Sequence, residues 1–482
     1  ARTWAGRNAS ASRAMTAPAN QLSRVVTLPG AIGIGLGSII GTGVFVTLGL
    51  GAGLAGPWLL LAIAIAGGVA MCNGLGSAQL AAVHPVSGGT YAYGSRFLHP
   101  LAGFTAGWVF LLAKSASCAT AALGFGGLLA WITGKPGEAW TMTLAALGSL
   151  LIVTAAALAG VTRSVRFNYL LLTVTVLALV TMVIAAAPAA LKGWGGMSWS
   201  AIGDRSVSAP GVLEAAALAF VAFAGFARIA TMGEEVREPR RTIPRAVVFT
   251  LLAAIALYGL VAFTGLGVLG AGEFATRSSA DAAPLLAVAR AVQAPTLAWM
   301  LAAGSAAALL AVQLNLIMGL SRVALAAGRA RDLPTPLSRI DRHGVPMIAT
   351  IVVALAIAGI IALGSVPMAW SLAACSVLVY YAITNLSAMR VAEGRFIARW
   401  VHTLGLIGCL ALGVFVEPVA LGVMVALVAM GLGVRWACRR FQPQPPPEVP
   451  AGSSTGSSAA SSVGASEGSA GSSVGVSAPA SP

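Results

Sequence analysis

Apolar runs of about 18 residues or more recur from the first third of the chain to the last, each long enough for a helix to cross a bilayer. In hydrocarbon every backbone amide and carbonyl must be bonded within the protein, so single runs of this kind fold as helices. Spans are predicted at 28–52, 56–82, 101–132, 141–160, 167–188, 211–232, 244–269, 296–327, 346–364, 367–389, 397–416 and 418–436. The expected fold class is an all-α polytopic membrane protein with 12 transmembrane helices. Only 9% of residues are charged, against roughly 25% in a typical soluble domain.

Charge placement gives the orientation. With the first residues inside, the outer loops hold only Lys135, Lys192, Arg205, Arg277 and Arg290 of the 29 Lys and Arg, and Lys114 and Arg228 fall within spans. That bias places both termini in the cytoplasm. The net charge of +15 is therefore an orientation signal and not a nucleic-acid footprint. Arginine outnumbers lysine and alanine is abundant, which suggests a bacterial source and hence the inner membrane.

Residues 1–27 are polar and basic with no signal-peptide core and read as a cytoplasmic tail. Residues 28–188 hold spans one to five, 189–389 spans six to ten, and 390–440 spans eleven and twelve. The Ser/Gly/Ala-rich stretch 441–482 cannot bury a core and is expected to be a disordered cytoplasmic tail. The loop His84–Tyr93 is too glycine-rich for a plain connector; a re-entrant or interfacial element and a flexible turn with interfacial tyrosines both fit it.

The first span carries Gly37, Gly41 and Gly43 near its middle. Glycine weakens a helix there through backbone entropy. A helix that unwinds at mid-membrane must face protein, water or ligand, and such breaks mark transporter binding sites. Close packing of small residues is the other reading of the same glycines. Span six repeats the anomaly in Phe223-Ala224-Gly225-Phe226, followed by Arg228. Spans one and six each open a block of five, as two inverted repeats require.

Lys114 lies about 13 residues into span three, roughly 20 Å along the helix, too deep for its stem to reach an interface. Its amine must find a partner or water, or release its proton, which makes it a proton-carrying candidate; a lysine that only glues helices is the alternative. Arg228 sits within reach of Glu234 or Glu235 and is expected to form an inner-gate ion pair. Asn315 is a candidate for helix–helix bonding or for holding an ion. Five scattered cysteines lack metal-type spacing, and the histidines fall in or near inner loops, so no metal site and no cofactor are expected. No Asp, Glu or His at mid-membrane stands ready to activate Ser38 or Thr42, which argues against a membrane enzyme.

Four motifs together carry a resemblance: Gly37–Phe45, Pro85–Tyr91, Phe223–Gly225 with Glu234–Pro244, and Ser321–Pro334. In this order, over roughly residues 25–440, the chain resembles amino acid permeases of the amino acid–polyamine–organocation superfamily, nearest the cationic amino acid transporter-like bacterial branch. The resemblance implies a LeuT-type fold, a 5+5 inverted repeat with discontinuous helices one and six. It implies that a substrate carboxylate accepts from amides around Gly41, Thr42 and Gly43. The ammonium would donate to carbonyls near Ile39, Ile40, Phe223 and Ala224, with Gly225 at the second break and Phe223 or Phe226 as gate. Lys114 and Cys118 fall on the third-helix face that lines the pocket in relatives.

Two departures stand out. Proton-coupled relatives carry a fifth-helix lysine, and the equivalent position here aligns with Thr175, which leaves room for an ion or shifts the coupling role to Lys114. All 14 acids lie outside mid-membrane. Like charges about 4 Å apart cost roughly 4 kcal/mol at an effective dielectric of 20. The reading is thus proton-coupled symport of neutral or acidic amino acids by a monomer or homodimer in the lipid bilayer. Exchange or uniport, a cationic amino acid carrier and a non-transporting sensor are the alternatives.

Overall fold

The computed structural model describes residues 24–41, 43–134, 138–196, 208–281, 284–341, 344–363, 366–415 and 418–441. The expected tails and Thr42 therefore fall mainly or wholly outside the described residues. The chain is almost entirely helical. Among the described residues, nine helical segments are long and apolar enough to cross a membrane, and Met347–Ala362 and Cys375–Met389 are shorter apolar helices. The protein is thus a polytopic membrane protein. Every predicted span coincides with one helix or with consecutive helical pieces.

The first span is built in pieces: α1 (Leu28–Ile39), a π-helical turn over Gly43–Thr47, and α2 (Leu48–Ala55). Pro57, on the turn that follows, leads into α3 (Leu59–Val83), the fixed proline φ suiting a helix start. Gly88 (φ 107°) and Gly89 (φ 55°) turn the chain through conformations that favour glycine, and α4 (Thr90–Phe97) follows. Its tyrosines are buried: Tyr93 donates to the Ala230 carbonyl at 3.0 Å and Tyr91 to Asp332 Oδ2 at 2.7 Å. A buried phenol needs such a partner.

Next come α5 (Pro100–Ile132), α6 (Ala139–Leu158) and α7 (Val161–Gly196). The sixth span comprises α8 (Ala209–Phe223), a 3₁₀ turn Ala224–Phe226 and α9 (Ala227–Thr231). Then follow α10 (Pro239–Asp281, kinked at Gly270, φ 73°), α11 (Pro284–Ala291) and α12 (Pro295–Arg329). The chain closes with α13 (Met347–Leu363), α14 (Val366–Met389), α15 (Arg399–Gly413) and α16 (Pro418–Phe441). The bundle's centre is α12, whose residues from Ala311 to Gly328 are all buried and which packs on α5, α7 and α1.

Candidate substrate site

The two interrupted helices meet at the centre of the bundle. In α1 the helical ladder ends with the Ile40 amide bonded to the Leu36 carbonyl, and Ile40 turns extended at ψ 93°. The break in the sixth span is gentler: Ala224 to Phe226 tighten into a 3₁₀ turn with right-handed backbone throughout. A Cβ at Gly225 would collide with the backbone of Ser38 and Ile39, so only glycine lets the two helices touch here. At Gly41 a Cβ would strike the side chain of Val312 on α12.

Carbonyls freed at both breaks are taken by tyrosines from distant helices. Tyr258 on α10 donates to the Ile39 carbonyl at 2.6 Å, and Tyr381 on α14 donates to the Ala224 carbonyl at 3.0 Å. Both tyrosines were missed at the level of sequence; the signal was a phenol in an otherwise apolar span, which demands an acceptor. Phe223 packs on Tyr258 with ring centroids 5.0 Å apart, and Phe226 on Tyr381 at 4.9 Å.

At the crossing lies a small cavity of about 20 Å³, room for one water molecule. It is lined by Ser38 and Ile39 of α1, Lys114 and Ser117 of α5, Val221, Ala222 and Gly225 of the sixth span, and Val312 and Leu316 of α12. Lys114 is only 5% exposed and has no hydrogen-bond or ion-pair partner among the described residues. The hydroxyls of Ser38 and Ser117 donate to carbonyls of their own helices, leaving oxygen lone pairs free to accept. Among the described residues no carboxylate lines the cavity. The site is thus one buried amine and two hydroxyl oxygens set in an aliphatic wall.

The structure brings together Ile39, Lys114 and Gly225 on that wall, with Ile40, Gly41, Gly43, Phe223, Ala224 and Phe226 packed about the breaks. Cys118 turns elsewhere, its thiol 3.8 Å from the Gln313 carbonyl of α12, and Ser117 takes the cavity position.

Thr175 bonds the Gly304 carbonyl of α12 at 3.1 Å and does not reach α1. An α7 side chain that hydrogen-bonds α1 is Asn168, two turns earlier. Its Nδ2 donates to the Gly33 carbonyl at 2.8 Å while its Oδ1 accepts from Asn315 Nδ2 at 2.5 Å. One amide pair therefore ties α1, α7 and α12 together.

The end of the bundle below the cavity is closed by charge. Glu235 pairs with Arg322 at 2.6 Å, both side chains fully buried, and Glu234 pairs with Arg329 at 2.9 Å. Val26, ahead of α1, pairs with the loop after α9: its amide donates to the Glu235 carbonyl and its carbonyl accepts from the Arg237 amide. The ion pair expected of Arg228 is made instead by these other arginines. Arg228 is buried and donates only through Nη1, to Thr231 Oγ1 at 3.1 Å. On the far side of α12, Asp332 accepts from Tyr91, Arg435 and Arg439, fastening α16 to the bundle.

The amino acid permease family profile matches residues 30–434. An uncharacterized transporter of Mycobacterium tuberculosis is 41% identical over 406 residues, 83% of this chain and 88% of that one. A branched-chain amino acid permease of Bacillus subtilis is 29% identical over 334 residues, covering 66% of this chain and 70% of its own. Cationic amino acid transporter 3 of Arabidopsis thaliana is 30% identical over 262 residues, covering 51% of this chain and 43% of its own. A helical bundle with apolar spans, two crossed interrupted helices and a match over most of its length place the chain in the amino acid permease family of the amino acid–polyamine–organocation superfamily, and the relatives above are named as transporters or permeases.

Proposed function

We propose that the protein is a secondary active transporter of neutral aliphatic amino acids, working by alternating access around the crossing of its two interrupted helices and coupled to protons through Lys114. The observation that carries this is the cavity itself, where, among the described residues, a buried amine without a partner faces aliphatic walls with no carboxylate. The substrate's carboxylate would be held at the positive end of the turn beginning at Gly43. Its aliphatic side chain would lie against Ile39, Val221, Val312 and Leu316. A cationic side chain would meet Lys114, at a cost of roughly 4 kcal/mol for charges about 4 Å apart at an effective dielectric of 20. The branched-chain permease relative has a name consistent with the aliphatic wall. Lys114 is the one ionisable group on that wall, so it is the group whose protonation substrate binding would sense first.

In this reading the chain has 12 spans, cytoplasmic termini and the LeuT-type arrangement. The packing of the helices supports the inverted repeat. Exchanging helices one to five with six to ten maps α5 on α14 to α12 on α7, and α6 on α12 to α13 on α5. Short α4, against α5 and α14, maps to short α11, against α12 and α7. The test is uptake of radiolabelled amino acids by reconstituted protein, with and without an inward proton gradient. Gradient-driven accumulation of a neutral aliphatic amino acid supports the proposal. Uptake that ignores the gradient assigns exchange or uniport, and binding without uptake makes the protein a sensor.

A further inference from the structure

One buried cation on the inner side of the cavity lacks an anion. Gly225 and Leu316 form part of the cavity wall. Arg228 lies one helical turn past Gly225, and Gly319 one turn past Leu316, on the facing helix. A Cβ at Gly319 would sit 3.1 Å from Arg228 Cδ, so the arginine stem crosses α12 where the side chain is missing, directly beyond the cavity. Arg228 is 4% exposed; Nη1 is bonded to Thr231, and among the described residues Nε and Nη2 have no partner. These two nitrogens share one edge, the fork that takes a carboxylate through two parallel bonds. Farther inward, Glu235 spends Oε1 on Arg322, and its Oε2 is unpartnered. The buried group of Arg228, Arg322 and Glu235 therefore holds two cations and one anion. An uncompensated buried charge is costly, and a fork left empty leaves two donors desolvated.

We propose that the free edge of Arg228 is a second carboxylate subsite, which takes the substrate's carboxylate as it leaves the cavity toward the inner side. Glu235, held by Arg322, closes the path beyond it. This inference rests on the transport reading above and adds a subsite that the cavity alone does not require.

The test uses reconstituted full-length protein and the amino acid with the highest uptake in the assay above. In Arg228→Gln, equilibrium binding at the cavity stays within about threefold of wild type, while turnover falls roughly tenfold or more, the loss expected of one charge-assisted fork. Arg228→Lys, which keeps the charge without the fork, recovers part of that loss. A variant that turns over at the wild-type rate, or that loses binding and turnover equally, overturns the subsite. A second measurement needs only wild-type protein: formate, a carboxylate with no ammonium or side chain, applied from the inner side should slow efflux by competition. Absence of competition overturns the proposal even if the variants fail to fold. If the wild type moves no amino acid at all, the transport reading fails instead.

Discussion

Gly225→Ala tests whether contact between the two interrupted helices is needed for transport. The added Cβ would lie 2.7 Å from the Ile39 amide nitrogen, and closer still to the Ser38 carbonyl, where ordinary contact begins at 3.4 Å. The neighbours are backbone, so no side chain can swing aside; α1 and the sixth span must part by about 0.7 Å or more. Overpacking of this kind costs about 1–3 kcal/mol. Levied on the state in which the helices touch, it depopulates that state roughly 5- to 150-fold. The assay is initial uptake rate beside Gly259→Ala, a control on α10 where nothing lies within 4 Å of the added methyl. Gly225→Ala should lose most of its uptake, and Gly259→Ala should match wild type. Wild-type uptake by Gly225→Ala would refute the reasoning, because the contact could then open at no cost to the cycle.

Lys114→Met should abolish accumulation driven by a proton gradient while exchange of internal for external amino acid persists; full retention of gradient-driven uptake would remove Lys114 from the coupling step. Tyr258→Phe removes the donor to the buried Ile39 carbonyl and should destabilise by about 1–3 kcal/mol, read as a fall in the thermal midpoint. Asn168→Ala breaks the link between α1, α7 and α12 and should cost a similar amount, with a comparable fall for Asn315→Ala because the two amides share one bond. Asp332→Asn strips the anion from buried Arg435 and should cost about 3–5 kcal/mol, again by thermal unfolding.

The sequence was most informative where physics leaves one option. A long apolar run in lipid must be helical, so each predicted span coincides with one helix or with consecutive helical pieces. The first break was legible because three glycines fall within seven residues. The second was less so: a 3₁₀ turn with right-handed dihedrals needs no special residue, and Gly225 is there for contact with α1 and not for its own backbone. The tyrosine caps were hidden by distance, since Tyr258 and Ile39 lie 219 residues apart. Thr175 and Asn168 are two turns apart on one helix face, so periodicity could not choose between them; only the position of Gly33 does. Cys118 and Ser117 differ by one residue, about 100° around a helix, finer than any span boundary fixed from hydropathy. Short α11 was not anticipated, because eight residues carry too little periodicity to stand out from a loop.

The most direct test of the central claim is a thermal-shift screen of the purified wild-type protein against all twenty amino acids, near pH 5.5 and pH 7.5. A ligand that binds the folded state raises its apparent stability by mass action, by about 2.7 kcal/mol at a hundred times Kd. The cavity predicts stabilisation by neutral aliphatic amino acids, with a size that differs between the two pH values. Selective stabilisation by arginine or lysine, or none by any amino acid, would contradict it.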